Sequence, residues 1–250
     1  MKSSILTYRY RTVITVKVSS ARRPVVENEA RGSRRKRETR EKLLSAAFRL
    51  FAERGLDAVA VSEITDAADV GFGSFYNHFV SKEAIYDEVF QILFEEFGDV
   101  LDRLTADLED PAEVVAVCVR HTLARAAAEP LWARFLLRES LTPRGLVRGL
   151  AVRLQRDLAR GVRQKRFVMA DLLMGGAAAG GTVLSCIAIQ LAAHDSPAEA
   201  KRHGADTKQL AERAATTVLR GLGLPAGEAT KIARRPLPAL DLSVSVLLRS

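Results

Sequence analysis

The stretch "GFGSFYNHF", residues 71–79, gathers the side chains of this 250-residue chain best suited to recognition chemistry. Phe72, Ser74, Tyr76, Asn77 and His78 offer aromatic faces, two hydroxyls, an amide and an imidazole, a set able to hydrogen-bond base edges or phosphate oxygens. Catalytic patterns are missing: none of the four His (His78, His121, His194, His203) begins an H-E-x-x-H motif, there is no G-x-S-x-G, and no phosphate-cradling Gly loop follows a strand. The expectation is therefore no enzyme, no cofactor and no metal. "HDSPAEAKRH" could offer His194, Asp195 and His203 to an ion, but it reads as a solvated loop between helices. Cys118 and Cys186 lie in apolar runs without disulfide or metal spacing, which fits buried thiols in a reducing, cytoplasmic compartment.

The elements that position this stretch are helical. Leu43, Leu44, Ala47, Leu50 and Phe51 form one buried face, and Gly55 ends that helix. In "VSEITDAADVG", Ser62 stands where an N-cap belongs, and Gly71 is expected to break the helix after about two turns. A helix from about Gly73 to Phe79 then completes a helix-turn-helix, with Phe75 and Phe79 turned inward and the polar set outward. Periodicity alone leaves two readings open, a surface that lies on DNA or an aromatic helix pair with His78 as a core histidine.

Residues 39–83, "TREKLLSAAFRLFAERGLDAVAVSEITDAADVGFGSFYNHFVSKE", resemble the DNA-binding domain of the tetracycline-repressor (TetR) family. The shared pattern is a first helix ending in F-x-x-x-G, a Thr or Ser, then a Gly, Tyr, His-Phe and Ser-Lys-Glu series. The chain departs from it at Phe72, where a small hydroxyl residue is common, and at Phe75, where Leu is common. The resemblance implies that Ser62, Tyr76, His78 and Lys82 grip the DNA backbone, while Phe72, Gly73, Ser74 and Asn77 sit where bases are read. Chemistry agrees with it: Ser81 can cap a helix whose N-terminus and Lys82 would face a phosphate, Gly73 permits close backbone approach, and Asn77 can pair with adenine.

Charge is concentrated at one end. Residues 1–42 hold 13 Lys+Arg against 4 Asp+Glu, and from residue 43 onward the count is 25 against 26, so the net +8 lies in the N-terminal arm. Arg34, Arg35, Lys36, Arg37 and Arg40 could add contacts to the DNA backbone or minor groove. Residues 1–33 are expected to be a disordered basic extension. Within them Leu6 to Val18 alternate like a strand without a partner, a pattern unlike an amphipathic presequence.

The remaining chain reads as helix after helix, so the expected class is all-α: a helix-turn-helix domain at 34–83, a ligand-binding and dimerisation bundle at 84–224, and a tail at 225–250. By resemblance the bundle encloses a small-molecule site, with Phe90, Phe94, Cys118, His121, Trp132, Phe135 and Leu136 available to line it. Residues 172–193 are uncharged and long enough to span a bilayer, yet 10 of the 22 are Gly or Ala, which suits close helix packing. With the stripe carrying Leu210, Ala214 and Val218, they match the family's dimerisation pair, so Gly176, Gly180 and Leu184 are expected at a homodimer interface and no membrane is expected. The function implied is a homodimeric repressor released from a palindromic double-stranded DNA operator by a small-molecule effector. A helical membrane-associated adaptor or a small-molecule enzyme is the alternative.

Overall fold

A computed structural model describes residues 31–202, 207 and 209–240. The strand-like pattern of residues 1–30, His203 and residues 241–250 lie outside the described residues. The described residues are helical, without strands: three N-terminal helices carry a helix-turn-helix, and a larger bundle follows.

Helix α1 (Arg31–Arg54) buries Leu43, Leu44, Ala47, Phe48 and Phe51, and ends at Gly55, whose φ of +81° is the left-handed conformation that glycine adopts without strain. Its opening turns are basic and oppose the helix macrodipole, an effect that the pair Arg34–Glu38 at 2.8 Å partly offsets. Helix α2 (Val61–Ala67) is capped differently from the sequence expectation. Ala60 is the N-cap, Glu63 Oε2 accepts from the Ala60 N–H at 2.7 Å, and Ser62 lies inside the helix and exposed. The break after α2 also shifts: the left-handed residue is Asp69, φ +53°, while Gly71 is extended at φ −64° and caps α3 (Phe72–Tyr76). Asp tolerates that region better than most side chains, so the turn comes two residues earlier and α3 starts one residue earlier and ends three earlier than its pattern suggested.

Helix α4 (Lys82–Phe90), with the Ser81 hydroxyl accepting from the Ala84 N–H at 3.2 Å, runs through a π turn at Gln91–Glu95 into α5 (Glu96–Leu104). Within that turn the Leu93 carbonyl accepts from Trp132 Nε1 at 3.2 Å and Arg125 Nη1 at 3.4 Å, donors from neighbouring helices satisfying a backbone acceptor in the core. Helix α6 (Pro111–Ala128) is central, buried on nearly every side as its apolar composition requires. Around it pack α7 (Pro130–Glu139), α9 (Gly149–Arg163), α10 (Leu172–Asp195) and α12 (Leu210–Gly221), with the one-turn α8 (Pro143–Leu146) set against α9 and the short α11 (Pro197–Arg202) against α10.

The expected tail at 225 begins instead with a helix, α13 (Ala226–Ala233), which packs on α12 and α6 and buries Ala229, Ile232 and Ala233. Leu240 is also buried, so apolar burial carries the body past the expected boundary.

Aromatic rings join the N-terminal helices to the bundle. Phe94 stacks on Phe135 with centroids 5.3 Å apart, and Phe135 meets Phe48 of α1 edge-on at 5.8 Å. Tyr86 lies edge-on to Phe51 at 5.6 Å. Such pairs add to the burial of their area and fix relative orientation. Arg138 of α7 donates to the Glu53 carbonyl at 2.7 Å, closing the last turn of α1 from the bundle side.

Candidate nucleic-acid interface and enclosed cavity

Phe75 of α3 and Phe79 just beyond it are buried at 0 % and 4 % exposure, whereas Phe72 and Tyr76 stand 54 % and 53 % exposed. The outward pair is ordered by an edge-to-face contact with centroids 5.6 Å apart. Asn77 and Ser62 are exposed and Ser74 is half-buried, so hydroxyl and amide groups surround two exposed rings. A Cβ built on Gly73 would meet nothing within 4 Å among the described residues, whose packing therefore does not require glycine there. Val80, 87 % exposed, extends the apolar part of this face. Sequence reading missed Val80, although its place directly after the inward Phe79 is the signal that could have found it.

The charged candidates divide. Arg37 is exposed and lies 3.7 Å from Glu41 on its own helix. Arg40 forms a two-toothed ion pair with Glu88 of α4, and its guanidinium carbon lies 4.7 Å from the Phe79 ring centroid. In the free chain Arg40 thus ties α1 to α4, with its side chain 38 % exposed. Lys82 Nζ donates to the carbonyls of Leu56 and Val59, each at 2.8 Å, fastening the loop between α1 and α2. An ammonium has three donors, so Lys82 keeps one for an outside acceptor. His78 is half-buried, and its Nδ1 has no hydrogen-bond partner. Burial, with Lys36 and Arg40 nearby, holds the imidazole below its ordinary pKa. His78 is therefore neutral near pH 7, and Lys36 and Arg40 of α1 act on it from nearby.

Beneath this head a cavity of about 20 Å³ is lined by Phe90, Phe94, Leu136, Glu139, Ser140, Gly145, Arg148, Leu150 and Ala151. Three of the seven expected lining residues, Phe90, Phe94 and Leu136, reach it. Trp132 and Phe135 stand behind Phe94, with centroids 6.0 and 5.3 Å from its ring. Cys118 and His121 lie on α6 and do not line it, because that helix faces the centre of the bundle. Burial raises the Cys118 thiol to about 12 and lowers His121 to about 4, and His121 Nε2 is buried without a partner. Glu139 and Arg148 were missed. For Glu139 a signal exists, since it continues the buried α7 stripe of Trp132, Phe135 and Leu136 at helical spacing.

The expected dimer residues are mostly internal. Leu210, Ala214 and Val218 are buried in a helix that packs on α6, and a Cβ on Gly176 would collide with the Gln155 side chain. Gly180 and Leu184 are half-buried, and Leu154 lies 3.8 Å from a Cβ on Gly180. The stripe of α12 is apolar because it closes its own core. The exposed apolar face belongs to the other side of α10: Leu173, Met174, Ala177, Ala178, Gly181, Ala188 and Ile189. Among the described residues this is the one helix long and apolar enough to cross a membrane by length and composition. No group of three or more metal-binding side chains is present among the described residues.

Residues 43–89 match the family model described as bacterial regulatory proteins, tetR family, and residues 110–235 match tetracyclin repressor-like, C-terminal domain. The HTH-type transcriptional repressor KstR2 of Mycolicibacterium smegmatis is 42 % identical over 74 residues, 28 % of this chain and 36 % of that protein. The HTH-type transcriptional repressor DhaR of a Mycobacterium species is 45 % identical over 71 residues, 28 % of this chain and 34 % of that protein. The matched region thus spans about a third of these curated relatives. The crystal structure of RolR in complex with resorcinol is similar at 33 % identity and a TM-score of 0.60, over 83 % of this chain and 99 % of RolR.

Proposed function

The chain belongs to the TetR family of bacterial regulatory proteins, and on that premise we propose that it is a cytoplasmic, homodimeric repressor released from a palindromic DNA operator by a small molecule. The observation that carries this is the outward face of α3. Two exposed rings, an exposed amide and an open glycine lie beside a helix end that supplies Arg and Lys, which is chemistry for base edges flanked by chemistry for phosphates. The reading head extends from about residue 34 to 83, and the bundle from residue 84 through α13 holds the effector and the partner subunit.

A single short helix contacts few base pairs, so useful specificity calls for two heads on a two-fold axis. The apolar face of α10 supports that arrangement. Leu173 and Met174 are 71 % and 60 % exposed in the single chain, an apolar surface that a second copy would cover, and the small residues that follow them let two helices approach closely. The same composition argues against a membrane adaptor, since Gly and Ala give little apolar area to lipid. RolR, solved with resorcinol, supports a small-molecule effector here.

Selection of bound duplexes from a random pool tests the proposal. The chain should enrich an inverted repeat, and a cellular extract of small molecules should release it. Enrichment of no sequence over the starting pool would refute the DNA-reading role.

A further inference from the structure

The cavity wall contains one acidic group that the DNA-binding account does not use. Glu139 is 6 % exposed, and its Oε2 accepts from the Tyr86 hydroxyl at 2.5 Å. Among the described residues no hydrogen bond to its Oε1 is found, and that oxygen is not among the fully buried polar atoms left without a partner. That oxygen is not sealed from solvent, so on the wall of an aromatic-lined cavity it is open to a donor brought by a ligand. Arg148 stands at the same cavity, paired with Asp87 at 2.7 Å and lying 4.5 Å from the Phe90 centroid. An anionic ligand would meet the Glu139 carboxylate and a cationic one the guanidinium. An uncharged ligand whose hydroxyls both donate and accept satisfies the two walls together.

We propose that Glu139 reads the effector, which is an uncharged hydroxylated aromatic ring: a ring hydroxyl donates to Oε1, and the ring packs on Phe90, Phe94 and Leu136. This rests on the ligand-responsive reading above and adds the ligand class and the residue that selects it. The cavity of about 20 Å³ has room for about one water, so a ring enters only if a wall moves. The wall best able to move is residues 140–149, carrying α8. Its Leu141, Leu146 and Val147 are 71 %, 58 % and 69 % exposed, so little apolar burial holds it down. Ties that hold it include Arg148 to Asp87, the Gly149 N–H to Glu95 Oε1 at 2.9 Å, and the Arg144 guanidinium 5.7 Å from the Tyr86 ring centroid.

Trp132, the single tryptophan, lies edge-on to the cavity residue Phe94, so its fluorescence reports occupancy without DNA. Resorcinol, phenol, benzoate and toluene are titrated into the full-length chain and into Glu139→Gln, with thermal unfolding followed alongside. Resorcinol and phenol should bind the unmodified chain at least about tenfold more tightly than benzoate or toluene, the margin of one hydrogen bond to a charged group. Glu139→Gln should lose about ten- to a hundredfold for the hydroxylated rings, the range for such a bond, with toluene unchanged. Equal affinity for phenol and toluene, no response to either hydroxylated ring, or unaltered phenol binding by a folded Glu139→Gln would overturn the assignment. If the variant does not fold, the ligand series on the unmodified chain decides. Selected-duplex binding is measured in parallel: its loss refutes the regulator reading, whereas its presence with no ring preference refutes only the role of Glu139.

Discussion

Arg40 of α1 and Glu88 of α4 lie 48 positions apart and meet through both Nη atoms of the guanidinium and both carboxylate oxygens, with the Arg40 guanidinium also resting over Phe79. This pair closes one side of the helix-turn-helix, so it acts on DNA through the fold. Arg40→Ala should destabilise the chain by on the order of 1 kcal/mol, combining a partly exposed bidentate pair with a cation–π contact. Arg37→Ala, by contrast, should leave the melting temperature nearly unchanged while weakening binding to every duplex and reducing the salt slope by about one phosphate. Thermal melts and salt-dependent titrations of both variants separate the roles, and an unchanged melting temperature for Arg40→Ala would contradict the tie.

Gly73 gives effects of opposite sign on stability and binding. A Cβ there meets no atom within 4 Å among the described residues, and alanine restricts the unfolded state more than glycine does, so Gly73→Ala should stabilise the free protein by about 0.5 to 1 kcal/mol. The added methyl projects from the face assigned to DNA and should lower operator affinity. A variant that melts higher and binds the operator undiminished would show that DNA does not approach at this residue.

His121 makes stability fall in mild acid. Its folded pKa is lowered to about 4 from an ordinary 6.5, chiefly by burial and then by Arg120. Between those values the unfolded chain binds a proton that the folded chain does not, so stability is full above about pH 6.5 and declines toward pH 4. The loss is about 3 kcal/mol as an order of magnitude at 1.36 kcal/mol per unit. His121→Leu should flatten unfolding free energies between pH 7 and 4.5, and an unchanged slope would contradict the buried neutral imidazole.

Gly181 lies on the exposed face of α10, and a Cβ there would meet no atom within 4 Å, so the single chain tolerates a side chain at this position. Gly181→Arg should halve the light-scattering mass from a dimer of the 27.4 kDa chain and abolish operator binding while the helices remain folded. Retained dimer mass would move the interface elsewhere.

The head was largely legible in the sequence because its signals are local. Inward Phe75 and Phe79, Ser81 as a cap and Gly55 as a stop each follow from spacing of a helical turn or less. Arg40, Lys82 and the α12 stripe were not legible in the same way. A guanidinium looks alike whether it meets a phosphate or Glu88, and an apolar stripe looks alike whether it covers α6 or a second subunit. Those choices depend on partners distant in the chain. Asp69 in place of Gly71 as the left-handed turn residue shows a local rule with two eligible residues, of which the chain uses the earlier.

If the outward face of α3 reads bases, Asn77, exposed on that face, is the residue whose loss must show it. Affinities of the unmodified chain and Asn77→Ala are measured for the selected duplex and for random duplex at one salt concentration. The specific-to-random ratio should fall by about 10- to 100-fold, equivalent to roughly 1 to 3 kcal/mol for a bidentate base contact, with random binding unchanged. Equal losses on both duplexes, leaving the ratio as it was, would contradict base reading by this face.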